Sequence, residues 1–161
     1  MCNENSIRNY LIAGYSAILS AIGFIVTAAV LNNSFFGAPG APFLMLSAAG
    51  FTGLASLFFS FAKGKMEEYI KCMGYNDSCS ASYNNFFKAI NALIVVLGIQ
   101  TTACLAAAGI AWIPWFGAVP MYAIIGTLII QFAVGISLII FAIELINCLK
   151  KRKTSKYPAH R

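Results

Sequence analysis

The stretch ALIVVLGIQTTACLAAAGIAW (residues 92–112) contains no charged side chain, and it decides the class of fold. It lies in a charge-free segment that runs from residue 89 to 143, and a second such segment runs from 9 to 62. About 20 apolar residues span the hydrocarbon core of a bilayer as a helix, so each segment can hold two helices and a turn. The apolar runs do not alternate in polarity as barrel strands do. The sequence therefore predicts an all-α, polytopic integral membrane protein, a four-transmembrane-helix bundle that forms one membrane domain over residues 1–161.

The second and fourth helices are expected to continue beyond the membrane. Lys63, Glu67 and Lys71 are spaced four residues apart, which predicts ion pairs on one face of a continuing helix. Gly74 is the expected C-terminal cap, and a serine within 80–82 is expected to cap the next helix. We expect the four membrane spans at residues 10–31, 42–62, 89–112 and 118–141.

The charges predict the orientation of the chain. The 11 lysines and arginines give a net charge of +6, and all of them lie at Arg8, between Lys63 and Lys88, or from Lys150 onward. The two other connections, 32–41 and 113–117, carry no charge. Because Lys and Arg in short loops stay on the cytoplasmic side, both termini and the middle loop are expected in the cytoplasm. The short chain and bare outer loops favour a bacterial inner membrane over a eukaryotic one.

The basic tail, residues 149–161, follows the fourth span directly. Its cations are expected to contact anionic lipid headgroups, with an acidic protein partner as the alternative. The net positive charge therefore requires no nucleic acid as partner. The residues that we expect at this cytoplasmic interface are Glu144, Lys150, Lys151, Arg152 and Lys153.

The two halves of the chain resemble each other. AILSAIGFIVTAA (17–29) aligns with ALIVVLGIQTTAC (92–104), and EYIKC (68–72) aligns with ELINC (144–148). The alignment predicts two tandem parallel helical-hairpin repeats, at 6–72 and 82–148, related by an axis along the membrane normal. In each repeat a glycine precedes a threonine by four positions, a spacing that lets helix backbones approach closely. We expect these helix-packing residues in the bundle interior: Gly23, Thr27, Gly98 and Thr102.

Polar side chains are expected near the middle of the membrane. Gln100 and Gln131 both lie about 15 Å from the cytoplasmic end of their helices, so the two amides are expected to lie at similar depth. One interpretation is a hydrogen bond between neighbouring helices. The alternative is a polar station on a solute path. Thr101, Thr102 and Thr127 belong to the same candidate path.

Few residues suggest chemistry. The sequence has no membrane histidine, since His160 lies in the tail, and it lacks phosphate-loop, HExxH and CxxC patterns. No catalytic residue, metal or cofactor is therefore predicted. Glu144 is interpreted as an acid that is hydrated or paired with the basic tail, with an ion-gating or proton-binding role as the alternative.

The five cysteines receive three interpretations. Cys104 is expected in the apolar core. A disulfide between Cys72 and Cys79 is not expected on a reducing side of the membrane. Lipidation of Cys2, Cys72 and Cys148 at the inner surface is the alternative for a eukaryotic source.

Aromatic residues mark the two uncharged connections, FFGAPGAP (35–42) and WFGAVP (115–120). Proline suits the first turn of a helix, glycine permits a tight reversal, and aromatic rings prefer the membrane interface. Both stretches are interpreted as outer hairpin turns. The predicted interface aromatics are Phe35, Phe36, Trp112, Trp115 and Phe116.

These features predict a non-enzymatic four-span scaffold or accessory subunit. It is expected to lie in the lipid bilayer and to associate laterally with itself, as a homo-oligomer, or with other membrane subunits. The alternative is a small oligomeric channel or transporter for a small neutral solute or cation. A membrane enzyme ranks third.

Overall fold

The computed structural model describes residues 3–34, 41–74, 79–110 and 118–156, and it is all-helical. Each of the four helices is long and apolar enough to cross a membrane. The five predicted interface aromatics fall outside the described residues. The helices are α1 (Glu4–Ser34), α2 (Ala41–Met73), α3 (Ser80–Ile110) and α4 (Ala118–Lys156).

All four helices extend beyond the predicted spans. At 31 to 39 residues they exceed the roughly 20 needed to cross the hydrocarbon core. Gly74 follows α2 with a φ of 81°, the left-handed conformation of a C-terminal cap, as predicted. Pro42 and Pro120 lie in the first turns of α2 and α4, where a missing amide donor breaks no helical hydrogen bond. The basic segment is helical as far as Lys156, beyond the predicted start of the tail at 149.

Each helix buries one narrow stripe of side chains, at steps of three and four residues. This spacing favours left-handed packing with crossing angles near about +20°. α1 packs on α2, α2 on α3, and α3 on α4, so neighbours in sequence are neighbours in space. The buried stripe of α3 consists of Phe86, Ala89, Ile90, Leu93, Leu97, Gln100, Cys104 and Ala108.

The core consists of two apolar clusters along the bundle axis. The larger lies at the charged end, which holds the starts of α1 and α3 and the ends of α2 and α4, and it is built around Phe59, Met66 and Phe86. The smaller cluster lies at the opposite end, which we call the turn end, and includes Ile25, Met45 and Ile124. On α1 the nearest buried members of the two clusters are Ile18 and Ile25, and on α3 they are Leu97 and Cys104, a separation of about two helical turns.

Most of the helix surface is apolar and unburied. Only 28–33% of the most apolar window of each helix is buried inside the bundle. Leu19, Phe43, Val95 and Ile129 are among the large apolar side chains that face outward. Outward serines bond to their own helix, as Ser20 and Ser47 do with the carbonyls four residues earlier. An exterior of this kind leaves few hydrogen-bonding groups that need water.

The predicted helix-packing residues Gly23, Thr27, Gly98 and Thr102 do not lie in the interior. All four are exposed, and a Cβ added at either glycine would meet no atom within 4 Å. The Thr27 hydroxyl donates to the Gly23 carbonyl at 2.8 Å, whereas the Thr102 hydroxyl lies 2.8 Å from the Ile99 carbonyl and 3.2 Å from that of Gly98. The placement was wrong because both sides of these helices are apolar, so the small residues are not needed for packing within one chain.

Candidate functional site: a buried polar layer

Four polar side chains are buried between the two apolar clusters. Thr52 on α2, Gln100 on α3, and Thr127 and Gln131 on α4 are 0%, 0%, 8% and 3% exposed. Together with Thr101 they form what we call the polar layer. On α1, the buried residue between the two clusters is Ala21. At this level of the bundle, three helices therefore present polar side chains and α1 presents an apolar one.

The threonines of the layer connect α2 to α3. The hydroxyl oxygens of Thr52 and Thr101 lie 2.8 Å apart, and they also lie 3.0 and 2.8 Å from the carbonyls of Ala49 and Leu97. Each hydroxyl has one proton, so one threonine donates to the other while the second donates to its own helix. Thr52 was not among the predicted polar residues, although it lies at the middle of the predicted span 42–62, at a depth similar to that of the glutamines.

The two glutamines are buried without hydrogen bonds. Neither the Nε2 nor the Oε1 atom of Gln100 or Gln131 has a partner among the described residues. The interhelical hydrogen bond expected between the two amides is therefore not formed. Leaving a buried polar group unpaired costs about 1–3 kcal/mol, so these amides are an energetic cost to the fold rather than a source of stability.

A cleft between α1 and α4 borders the layer. The backbones of α1 and α4 approach each other less closely than those of helices adjacent in sequence. The Tyr15 hydroxyl on α1 donates a hydrogen bond across the cleft to the Gly135 carbonyl on α4, at 2.6 Å. The cleft has a volume of about 200 Å³, and its lining residues are Tyr15, Ile18, Leu19, Gln131, Phe132, Gly135, Ile136 and Ile139.

The charged end is held together by polar contacts between helices. Lys150 on α4 pairs with Glu4 on α1, and the Lys63 ammonium donates to the Asn91 side chain on α3 at 3.0 Å. The predicted ion pairs required Lys63 to face Glu67. Its ammonium group instead contacts α3.

Other charges at this end lie on the surface. Lys65 pairs with Glu68, three residues on, at 2.8 Å. Glu144 and Lys151 are exposed. The side chains of Arg152 and Lys153 are outside the described part of the chain.

A disulfide at the charged end corrects the interpretation of the cysteines. Cys79, just before α3, is bonded to Cys148 near the end of α4, with their Cα atoms 6.2 Å apart. Cys72 is also disulfide-bonded. Cys104 is free and fully buried in the turn-end cluster, as expected. The sequence could not show the pairing, because it depends on which helix ends meet.

The polar layer offers hydrogen bonds and no acid or base. Its groups are amides and hydroxyls, which bind neutral polar atoms and do not titrate near neutral pH. Among the described residues, no three His, Cys, Asp or Glu side chains lie close enough together to hold a metal ion. The layer can therefore orient a neutral molecule by hydrogen bonding.

No family model matches this chain, and no curated protein or solved structure matches it either.

Proposed function

We propose that this protein is a non-enzymatic four-span membrane subunit that associates laterally with copies of itself or with a larger membrane complex. The observation that carries the proposal is the outward placement of Gly23, Thr27, Gly98 and Thr102. A glycine and a threonine one turn apart leave a shallow surface on which another helix can approach closely. The surface is present on α1 and α3, so one chain offers two such faces.

The exposed apolar surface supports the same proposal. A soluble chain would have to cover side chains such as Phe43 and Ile129, which are 65% and 66% exposed. In a bilayer, lipid chains can contact these side chains favourably. Helices then associate only where they pack against each other better than they pack against lipid. Small residues improve that packing, which is why we place the contacts at the two glycine faces.

The test is the mass of the detergent-extracted protein after Gly23→Leu and Gly98→Leu are combined. Because a Cβ at either position meets no atom of the described residues within 4 Å, the fold should persist while the complex becomes smaller. Gly50→Leu is the matched control, since Gly50 is exposed on α2 with equally open space. An unchanged mass in the double variant, measured by light scattering, would refute these faces as the contact.

A channel or transporter is the second proposal, supported by the polar layer. Unpaired amides at Gln100 and Gln131 could replace part of the hydration of a small neutral solute or a cation. Flux into liposomes should then fall on Gln100→Leu or Gln131→Leu while the protein stays folded. If the unaltered protein shows no flux, the channel or transporter proposal is refuted and the subunit proposal stands.

We further propose that the charged end faces the cytoplasm of a bacterial inner membrane. The distribution of all 11 lysines and arginines supports this orientation. The Cys79–Cys148 disulfide supports the reverse, because stable disulfides are typical of oxidising compartments. We give the charges more weight, since disulfides that form on oxidation also occur in the cytosol. Lys150 and Lys151 would then lie at the anionic headgroups.

We also propose that the two hairpins are tandem repeats, and the positions of the cysteines support this proposal. Cys72 and Cys148 end the aligned segments EYIKC and ELINC, and both are disulfide-bonded. Cys148 is linked to Cys79, which lies three residues before the second predicted repeat begins at residue 82. A repeat predicts the same link in the first half, where the sequence offers Cys2. Peptide mapping of the unreduced protein by mass spectrometry tests this pairing.

A further inference from the structure

We propose that the cleft between α1 and α4 binds one neutral, hydroxyl-bearing lipid or other membrane-soluble alcohol, with its hydroxyl group hydrogen-bonded to the amide of Gln131. The proposal goes beyond lateral association, and it rests on insertion of the helices in a membrane. Nothing in it depends on the oligomeric state of the chain. It combines an apolar cleft with a buried polar side chain that lacks a partner.

The walls of the cleft define the body of the ligand. Apart from Gln131 and Tyr15, the lining consists of apolar side chains and Gly135, and no lining residue is charged. The Tyr15 hydroxyl already donates its proton to the Gly135 carbonyl. A charged headgroup would be left unpaired here, which is costly in an apolar site. The ligand is therefore neutral, with a hydrocarbon body.

The amide of Gln131 defines the head of the ligand. This residue is 3% exposed, it lines the cleft, and neither its Nε2 nor its Oε1 atom has a hydrogen-bond partner in the part of the chain that the structure describes. An amide offers both a donor and an acceptor, and a hydroxyl group can satisfy either one. A small rotation of the flexible glutamine side chain would turn the amide towards the cleft. The ligand would then remove the cost of the unpaired group.

Water is a poorer occupant of this cleft. A volume of about 200 Å³ far exceeds the roughly 30 Å³ share of one water molecule. Further waters would have no partners along the apolar walls, and apolar cavities stay dry. A hydrocarbon chain with one hydroxyl group matches both parts of the site.

The test uses the purified full chain and a hexadecanol analogue that carries a diazirine in its hydrocarbon chain. After irradiation, labelled residues are located by mass spectrometry of peptides. We expect labels on the cleft-lining segments of α1 and α4, and we expect unlabelled hexadecanol to compete where hexadecane does not. Gln131→Leu should lower labelling about three- to thirtyfold, the equivalent of one membrane hydrogen bond of about 0.6–2 kcal/mol.

Gln100→Leu is the matched control. It removes an equally buried and unpaired amide that does not line the cleft, so labelling should be unchanged. A second variant, Ile136→Trp, keeps Gln131 and fills the cleft from its exposed rim, so labelling should be lost even if Gln131→Leu fails to fold.

Several outcomes would overturn the proposal. Equal labelling of Gln131→Leu and the unaltered protein would do so, as would labels spread over the outward faces. Equal competition by hexadecane would show that the hydroxyl group is not recognised and that the cleft makes only ordinary contacts with lipid chains. Cross-linking of two chains through the cleft would assign it to a second copy. Each of these outcomes is compatible with lateral association, so the two proposals can fail independently.

Discussion

Gln100 and Gln131 show how a single buried residue can cost stability. Each amide is buried and makes no hydrogen bond with any described residue, although each lies within about one turn of a threonine that bonds to its own helix. Threonine can reach the carbonyl four residues earlier, whereas the longer glutamine side chain carries its amide away from the backbone. The polar layer therefore contains both satisfied hydroxyls and unsatisfied amides.

We predict that Gln100→Leu stabilises the protein. Leucine has a similar volume and leaves no unpaired polar atom, so the free energy of unfolding should rise by about 1–3 kcal/mol. Denaturation in mixed detergent micelles, followed by circular dichroism, measures the change. A loss of stability would mean that the amide makes a hydrogen bond in solution.

Gly14 is a residue at which close approach of two helices requires the absence of a side chain. A Cβ at this position would lie 2.9 Å from two ring atoms of Phe59, which is itself fully buried. We predict that Gly14→Ala lowers the free energy of unfolding by about 1–3 kcal/mol, because the ring cannot move without disturbing the core.

Gly64→Ala is the control for this prediction. Its Cβ would meet no atom within 4 Å, so helix propensity alone should raise stability by about 0.5–1 kcal/mol. The same denaturation measurement applies to both variants. Similar effects of the two substitutions would contradict the close contact between Gly14 and Phe59.

The position of the two glutamines along their helices, between the two ends of the bundle, was predictable from sequence, and the side chains around them were not. Depth follows from counting residues at 1.5 Å each from the charged end. Whether two side chains meet depends on the rotation of each helix about its axis. Segments that are apolar on all sides carry little information about that rotation, which also explains the wrong placement of Gly23 and Gly98.

At the scale of elements, the structure consists of two helical hairpins joined by the packing of α2 on α3. The number and order of helices were predictable, because charge-free segments and proline-containing turns mark them in the sequence. The continuation of α2 and α4 beyond their apolar spans was also predicted, whereas α1 begins at Glu4, before its predicted span at residue 10, and α3 ends at Ile110, two residues before its predicted end. The charged ends continue as helices beyond the apolar spans, where the contacts Lys63 to Asn91 and Lys150 to Glu4 hold neighbouring helices together.

The Cys79–Cys148 disulfide closes the second hairpin at its open end. It joins residues 69 apart in sequence. We predict that combining Cys79→Ser and Cys148→Ser lowers the free energy of unfolding by about 2–4 kcal/mol, since a loop of this length is costly to close without the bond.

Denaturation with and without a reducing agent measures this effect. The unaltered protein should lose stability on reduction, while the double variant should lose less. Cys104→Ala serves as the control, because Cys104 is a free thiol and its replacement should preserve the response to the reducing agent. A double variant as stable as the unaltered protein would show that other contacts close the hairpin.

At the scale of the whole molecule, the side of the membrane that the charged end faces decides whether Cys79 and Cys148 lie in a reducing or an oxidising compartment. With the charged end in the cytoplasm, the Cys79–Cys148 bond would form only on oxidation. We predict that a fluorescent protein fused to the C-terminus is fluorescent in bacterial cells and that a phosphatase fusion is inactive. Alkylation of intact cells should find both cysteines as thiols. An active phosphatase fusion together with an intact disulfide would establish the opposite orientation.

The ion pair between Glu4 and Lys150 brings the beginning and the end of the described chain side by side. Since each hairpin also starts and ends at this side of the bundle, the order of the two hairpins in the gene is not fixed by the fold. A circularly permuted chain, opened between Gly74 and Cys79 and joined through a short linker between the old termini, would keep each hairpin in its original direction along the bundle axis. Ancestral duplication and present-day rearrangement would then be equally compatible with this architecture.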